Sequence, residues 1–330
     1  MNSATDKPLV SILVAAWNAG DLLHRHIRSF QALRYPALEL VLCAGGDDQT
    51  LQRAKAYQDQ RIRIVPQLAG DGKQRALRRA FPFTSGSIIY LTDIDCVLDD
   101  ECFEQVIRPI LTQTEVACSG LSKPTRRQLS NPFVALQAAN QHVGNANLDR
   151  YVTGLRGCNC ALTRDLIVQS QGLMADARAG TDYVLAKMVV RSGARIRHVT
   201  GSHIQTEYPD TARAYVRQQR RWLRNLIWHG KRFGALDEVR QAVRTSLIGI
   251  LMLLLPPASL FMPPLLAVWL GVFVYTCGAR VRYLREGGHA LNTIPQQQHY
   301  ILIPVHILLD FCAWSLALID CVSAEKRAHW

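Results

Sequence analysis

Three short stretches carry the residues best suited to chemistry: Asp93-Ile94-Asp95, Thr181-Asp182-Tyr183 and Gln218-Gln219-Arg220-Arg221-Trp222. Two carboxylates one residue apart offer hard oxygens to Mg²⁺ or Mn²⁺, ions that bridge a diphosphate and carry the charge of a leaving group. Asp182 has the chemistry of a general base toward a hydroxyl. Arg221 suits multidentate phosphate recognition, and Trp222 offers a flat apolar face. On a helix Gln218, Arg221 and Trp222 stand at i, i+3 and i+4 and share one face. Each stretch also has a plainer reading. Asp93 and Asp95 fit an acidic strand-end turn, Asp182 fits a helix cap, and the Arg-Trp run fits an amphipathic interfacial helix.

The elements that must position these residues are legible as alternating strand and helix signals from Leu9 to about Val199. Val10 to Ala16 is strand-like and ends at the turn Trp17-Asn18-Ala19-Gly20; Leu22 to Leu33 has helical spacing. Leu38 to Cys43 is a second strand, closing on Ala44-Gly45-Gly46-Asp47-Asp48. A helix over Leu51 to Tyr57, a strand at Ile62 to Val65, a helix over Gln74 to Ala80 and a strand from Ser87 to Leu91 follow, the last running into Asp93. This rhythm predicts an α/β fold with a mainly parallel sheet covered by helices on both faces. Ligands of such sheets gather beyond the carboxyl ends of the strands, where both acidic turns fall.

Charge and hydropathy divide the chain near residue 240. Nine cations lie between Arg213 and Arg244 against two acids, Asp237 and Glu238. A basic run before an apolar stretch suits an anionic cytoplasmic membrane face, at about 1 kcal/mol per cation. The net charge of +12 is not accompanied by a zinc-finger, helix-turn-helix or RNA-binding signature, so no nucleic-acid partner is expected. Thr245 to Ala279 is a run of 35 uncharged residues; as one helix it would extend about 52 Å, well beyond a hydrocarbon core of about 30 Å. The expectation is a hairpin of two spans turning near Met262-Pro263-Pro264, with Arg280, Arg282 and Arg285 returning to the side of Arg240 and Arg244. Tyr300 to Ile319 is a third apolar segment. One helical stripe of it holds His306, Asp310, Ala313, Ala317 and Asp320, either packed inward or lying along the interface, and the tail Glu325-Lys326-Arg327 is basic. His306 and Asp310, one turn apart, fit an inter-helix pair or a lipid-headgroup contact. The nine cysteines are scattered without Cys-x-x-Cys and read as reduced, mostly buried thiols. Pro8 to Trp17 lacks the basic start and cleavage site of a signal peptide.

Taken together, the residues resemble family 2 glycosyltransferases of the GT-A fold, particularly the membrane-attached branch, over Val10 to about Phe233. Val10-Ser11-Ile12-Leu13-Val14-Ala15-Ala16-Trp17-Asn18 looks like the opening strand that cups the nucleotide base, and Gly72-Lys73-Gln74-Arg75 is similar to the family's Lys-containing segment near the nucleotide. The resemblance implies a donor site drawing on Ala15, Ala16, Trp17, Asp47, Lys73, Asp93, Gln218, Arg221 and Trp222, with Asp93 and Asp95 as the metal pair and Asp182 as catalytic base. Thr181-Asp182-Tyr183-Val184-Leu185 looks most like the ceramide glucosyltransferase subgroup. The chain departs from the family pattern where Cys43-Ala44-Gly45-Gly46 stand in place of an acidic pair directly after the second strand, with Asp47-Asp48 slightly later, at Ala19, where an acidic residue is expected, and at Thr181, where a Glu often precedes the base.

The resulting expectation is a cytosolic catalytic domain over residues 1–240 and a membrane region over 241–330 with two or three apolar helices, in a cell inner membrane with the catalytic part on the cytoplasmic face. Its reaction would be inverting transfer of a sugar from a nucleotide-sugar donor, UDP-linked, to a hydroxyl of a lipid acceptor, assisted by Mg²⁺ or Mn²⁺. A processive polysaccharide synthase and a catalytically silent nucleotide-sugar-binding membrane subunit are the alternatives.

Overall fold

The computed structural model describes residues 7–146, 150–175, 177, 179–290 and 297–323. The tail Glu325-Lys326-Arg327 lies outside them. In chain order the elements are β1 (Val10–Trp17), α1 (Asp21–Gln31), β2 (Leu38–Gly45), α2 (Thr50–Lys55), β3 (Ile62–Pro66), α3 (Gly72–Ala80), β4 (Ile88–Leu91), α4 (Asp100–Leu111), β5 (Ala117–Pro124), α5 (Pro132–Ala146), β6 (Tyr151–Val152), β7 (Cys160–Thr163), α6 (Arg164–Ser170), α7 (Thr181–Arg191) and β8 (Ile196–Thr206). Five further helices, α8 (Ala212–Phe233), α9 (Leu236–Ala258), α10 (Pro264–Ala290), α11 (Gln297–Ile301) and α12 (Ile303–Val322), follow β8 among the described residues. Contacts divide the described residues into two compact units, one from Met1–Lys123 and Leu148–Glu207, the other from Pro124–Asn147 and Tyr208–Trp330.

The first unit is built on a sheet of order β3-β2-β1-β4-β7-β5-β8-β6. β3, β2, β1 and β4 run parallel, while β7 pairs antiparallel with β4 and β5, and β6 with β8. The period-2 alternation of a strand decides which residues enter which layer. Val10, Ile12, Val14 and Ala16 of β1 join Leu23, Ile27 and Phe30 of α1 and Phe103 and Val106 of α4 in one core. Leu13 joins Val41, Ala76, Leu77, Leu185 and Val189 on the opposite face. All four residues of β4 are buried, which is why this strand reads as a continuous apolar run. The parallel half is the mainly parallel α/β arrangement expected from the alternating signals. All nine cysteines are free, and five are buried.

The second unit is helical. α8 is capped at its start by Thr211, whose hydroxyl accepts from the Ala214 N–H at 3.3 Å, and it stops at Gly234 in the left-handed region. α9 and α10 form the expected hairpin through residues 259–263. The Pro256-Pro257 pair does not break α9 but falls in its last turn, where only the Met252 and Leu253 carbonyls lose helical N–H partners, and Met252 accepts from Trp269 Nε1 at 2.8 Å instead. α9, the Pro264–Gly288 part of α10, and α12 are each long and apolar enough to cross a membrane. Leu251, Leu254, Leu260, Phe261, Val274 and Tyr275 are exposed, an apolar surface far beyond what water tolerates on one protein. Along α12 the stripe His306, Asp310, Ala313, Ala317 and Asp320 is buried, so this helix packs its polar face inward. Asp310 accepts from Tyr215 and, at 2.6 Å, from Arg280. The His306 ring sits 4.6 Å from Tyr215 and 5.2 Å from Phe133, centroid to centroid.

Candidate active site

At the carboxyl end of β4 the chain turns sharply, with the Cys96 N–H on the Asp93 carbonyl at 3.0 Å, and presents Asp93 and Asp95. This turn is gripped from two distant elements. Arg25 of α1 donates to the Asp95 carbonyl at 3.0 Å and pairs with Glu207 beyond β8. The neighbouring His26 donates Nδ1–H to the Cys96 carbonyl at 2.9 Å. Val97 then bridges to Gln205 of β8.

Four charged side chains meet at this turn. The Lys73 ammonium, at the start of α3, pairs with Asp93 and approaches the Gly157 carbonyl at 3.5 Å. Burial opposes the Lys73 charge, but Asp93 and then Asp182 more than offset it and hold its pKa above the usual lysine value. Asp95 behaves differently. Burial, then the like charge of Asp93, push it up to about 6, against Lys73 and a Thr206 hydrogen bond that favour its charged form. Two crowded carboxylates with one ammonium fit a hard cation; Mg²⁺ or Mn²⁺ would find the donor set it prefers.

Asp182 lies in the first turn of α7, where its carboxylate accepts from the Tyr183 N–H at 3.0 Å. Gly157 lets it approach. A β-carbon at that position would lie 2.8 Å from Asp182 Cβ and 3.4 Å from Lys73 Nζ. The segment carrying Gly157 is pinned by buried Asn159, which accepts from Tyr90 Oη at 3.0 Å and donates to the Leu121 carbonyl at 2.8 Å. Lys73, Asp93, Asp95 and Asp182 thus gather in one place, although Lys73 and Asp182 are far apart in sequence.

Beside Lys73 a cleft of about 350 Å³ is lined by Ala15, Trp17, Gln67, Leu68, Gly70 and Gly72 as well as Lys73 itself. Trp17 is 38% exposed, while the Ala16 side chain points into the core; strand alternation separates these neighbours. Gly45 is required here, because a β-carbon would lie 2.6 Å from the Gln67 carbonyl and 2.9 Å from Trp17 Cζ3. The Trp17 ring takes the space that a side chain at this position would need. Asp47 is exposed, its N–H donating to Asn18 Oδ1 at 2.8 Å. Its neighbour Asp48 ties two loops together, accepting from the Gly20 N–H at 3.0 Å and the Thr50 hydroxyl at 2.6 Å.

Gln218, Arg221 and Trp222 belong to the second unit, on α8. Arg221 and Trp222 are exposed, and the Gln218 side-chain oxygen is buried with no hydrogen-bond partner among the described residues. Sequence reasoning missed Arg25, His26, Asn159, Gly157 and Glu207. Their partners lie from 25 to 182 residues away, and nothing local in the chain marks them.

The profile of the glycosyltransferase-like family 2 matches residues 7–225, two-thirds of the sequence and the whole of this carboxylate cluster. The chain belongs to that family. It is a glycosyltransferase. Among solved structures it is similar to a mannosyltransferase from Pyrobaculum calidifontis, in complex with GDP-Man and Mn²⁺, at 16% identity and TM-score 0.58 over 96% of this chain and 88% of that one. It is also similar to S. aureus TarS residues 1–349 in complex with UDP, at 13% identity and TM-score 0.47 over 66% of this chain and 65% of that one. GalNAc-T7 with UDP, GalNAc and Mn²⁺ matches at 10% identity and TM-score 0.47 over 64% of this chain and 48% of that one. At such identities the first likeness speaks for the fold alone. A search of curated sequences gave no match.

Proposed function

We propose that this family 2 glycosyltransferase is an inverting enzyme that moves a sugar from a nucleotide-sugar donor, UDP-linked, to a hydroxyl of a membrane lipid. The observation that carries the reading is the meeting of Lys73, Asp93, Asp95 and Asp182 beside the Trp17 cleft. In this scheme Trp17 stacks on the nucleobase, and Lys73 turns from Asp93 to the diphosphate. Asp182 accepts the acceptor's hydroxyl proton while the new C–O bond forms on the anomeric carbon. The bond to the diphosphate breaks on the opposite face, its electron pair leaves with the phosphate oxygen, and an α-linked donor gives a β-linked product. Asp95, with Asp93, would hold Mg²⁺ or Mn²⁺, and the ion would supply positive charge against the leaving diphosphate.

The sequence motif on α8 assigns Arg221 to the leaving diphosphate and Trp222 to the acceptor. The apolar helices α9, α10 and α12 support a lipid acceptor and attachment to the inner membrane with the basic segments on the cytoplasmic side. Asp182→Asn tests the central assignment. Transfer is expected to fall by a factor of about 10²–10⁴, the range of a lost general base, with UDP affinity within about twofold of wild type. Near wild-type turnover in the variant would remove Asp182 from this role. Incubating membranes that carry the protein with a panel of labelled nucleotide sugars, then analysing the lipid extract, tests donor and acceptor class together.

A further inference from the structure

α8 carries two arginine sets that do different things. Arg220 and Arg224, four residues apart and so on one face, both reach the carboxylate of Asp320 on α12. Arg220 does so with two nitrogens, Nε and Nη2, and Arg224 Nη1 stands at 3.5 Å. Asp320 is 1% exposed and Arg224 8%. Arg221, one residue on from Arg220 and rotated about 100° around the helix, is exposed, as is Trp222. An ionisable group buried in an apolar helix is costly to keep unless it has a task, and a fork-shaped guanidinium held at two points by one carboxylate cannot roll. Tyr215, one and a half turns before Arg220, is tied to the same α12 through Asp310. Two carboxylates ten residues apart on α12 therefore hold α8 at two points along its length.

We infer that Asp320 is a positioning residue for transfer: by holding Arg220 and Arg224 from α12, it sets the roll of α8 and so the direction in which Arg221 and Trp222 project. The inference rests on the proposed role of Arg221. It makes the third apolar helix part of the catalytic apparatus rather than an anchor alone. Trp17, Lys73 and Asp93 belong to the other unit.

The test uses the full chain in detergent or nanodiscs, with the labelled donor that the wild-type protein transfers and UDP as the binding probe. Asp320→Asn is expected to lower kcat at least tenfold and to weaken UDP binding no more than Arg221→Ala does. Asp320→Glu, which keeps the charge, is expected to recover most of the turnover. Should Asp320→Asn fail to fold, the combined variant Arg220→Met, Arg224→Met, Asp320→Leu replaces the whole cluster with apolar side chains. It is expected to be folded, to bind UDP no more weakly than Arg221→Ala and to remain slow. A folded Asp320→Asn or combined variant with kcat within twofold of wild type overturns the inference, and so does a UDP Kd weaker than that of Arg221→Ala. Arg221→Ala is run alongside. If it is inactive while Asp320→Asn is active, the inference alone fails; if Arg221→Ala is fully active, the proposed role of Arg221 fails and the inference with it.

Discussion

At the residue scale the decisive fact is that Asp93 and Asp95, one residue apart, have different surroundings. Asp93 is part-exposed and paired with Lys73, whereas Asp95 is sunk in the turn and pushed up to about 6 by burial and by Asp93. Asp95 takes up charge less readily than an ordinary carboxylate, and a divalent cation beside it would favour its ionised form. Activity is therefore expected to disappear in excess chelator and to return on adding Mn²⁺ or Mg²⁺; full turnover in chelator would mean that the pair is not a metal site. His26 gives a second expectation. It is fully buried, with Asp93 and Arg25 as its nearest charges, and burial lowers its pKa to about 4 from 6.5. The folded state therefore favours the neutral ring. The stabilisation is complete above pH 6.5 and is lost as pH falls toward 4, about 3 kcal/mol in all. Between pH 7 and pH 4.5 the melting temperature of His26→Asn should fall less than that of wild type, and parallel losses in both proteins would refute the assignment.

At the element scale the parallel strands do the placing. β1, β2 and β3 end in matched register, Trp17 opposite Gly45 and Ala44 opposite Pro66, and the parallel β4 stops sooner, Leu91 opposite Leu13, so the loops that follow all four leave from the same side of the sheet. The price of that convergence is crowding, felt most at Gly45. Gly45→Val should press on the Trp17 ring and the Gln67 backbone, weakening UDP binding at least tenfold by calorimetry while leaving the membrane helices unaffected. Unchanged affinity would show that Trp17 does not wall the nucleotide cleft. The Leu22 to Leu33 helix, the strand ends and the α9–α10 hairpin were all readable from spacing and from turn residues. The antiparallel strands β5 to β8 were not. β6 is two residues long, and the pairing of β7 between β4 and β5 joins segments whose order in the chain gives no hint of adjacency.

At the scale of the whole molecule the family assignment and the three apolar helices make one expectation. Electrostatic attachment through the basic run from Arg213 to Arg244 would yield to about 1 M salt, where the screening length is about 3 Å. Helices that span hydrocarbon would not. The protein is expected to stay in the membrane fraction through a high-salt wash and to need detergent for release, and quantitative release by salt would rule out spanning helices.

What the amino-acid sequence determined by itself is whatever depends on neighbours within a few positions. The alternation that makes β1 a strand, the apolar spans and their proline turn, the identity of Asp93, Asp95, Asp182 and the Gln-x-x-Arg-Trp run are all local patterns, and local patterns survive in one dimension. Tertiary structure alone decided which charges meet. Lys73 pairs with Asp93, Arg25 with Glu207, and Arg220 and Arg224 share Asp320, because burial makes an unpaired charge costly and each finds the nearest partner that folding supplies. It also decided why Gly45 and Gly157 must be glycine, since the atoms that would collide with a side chain there arrive from other strands and helices.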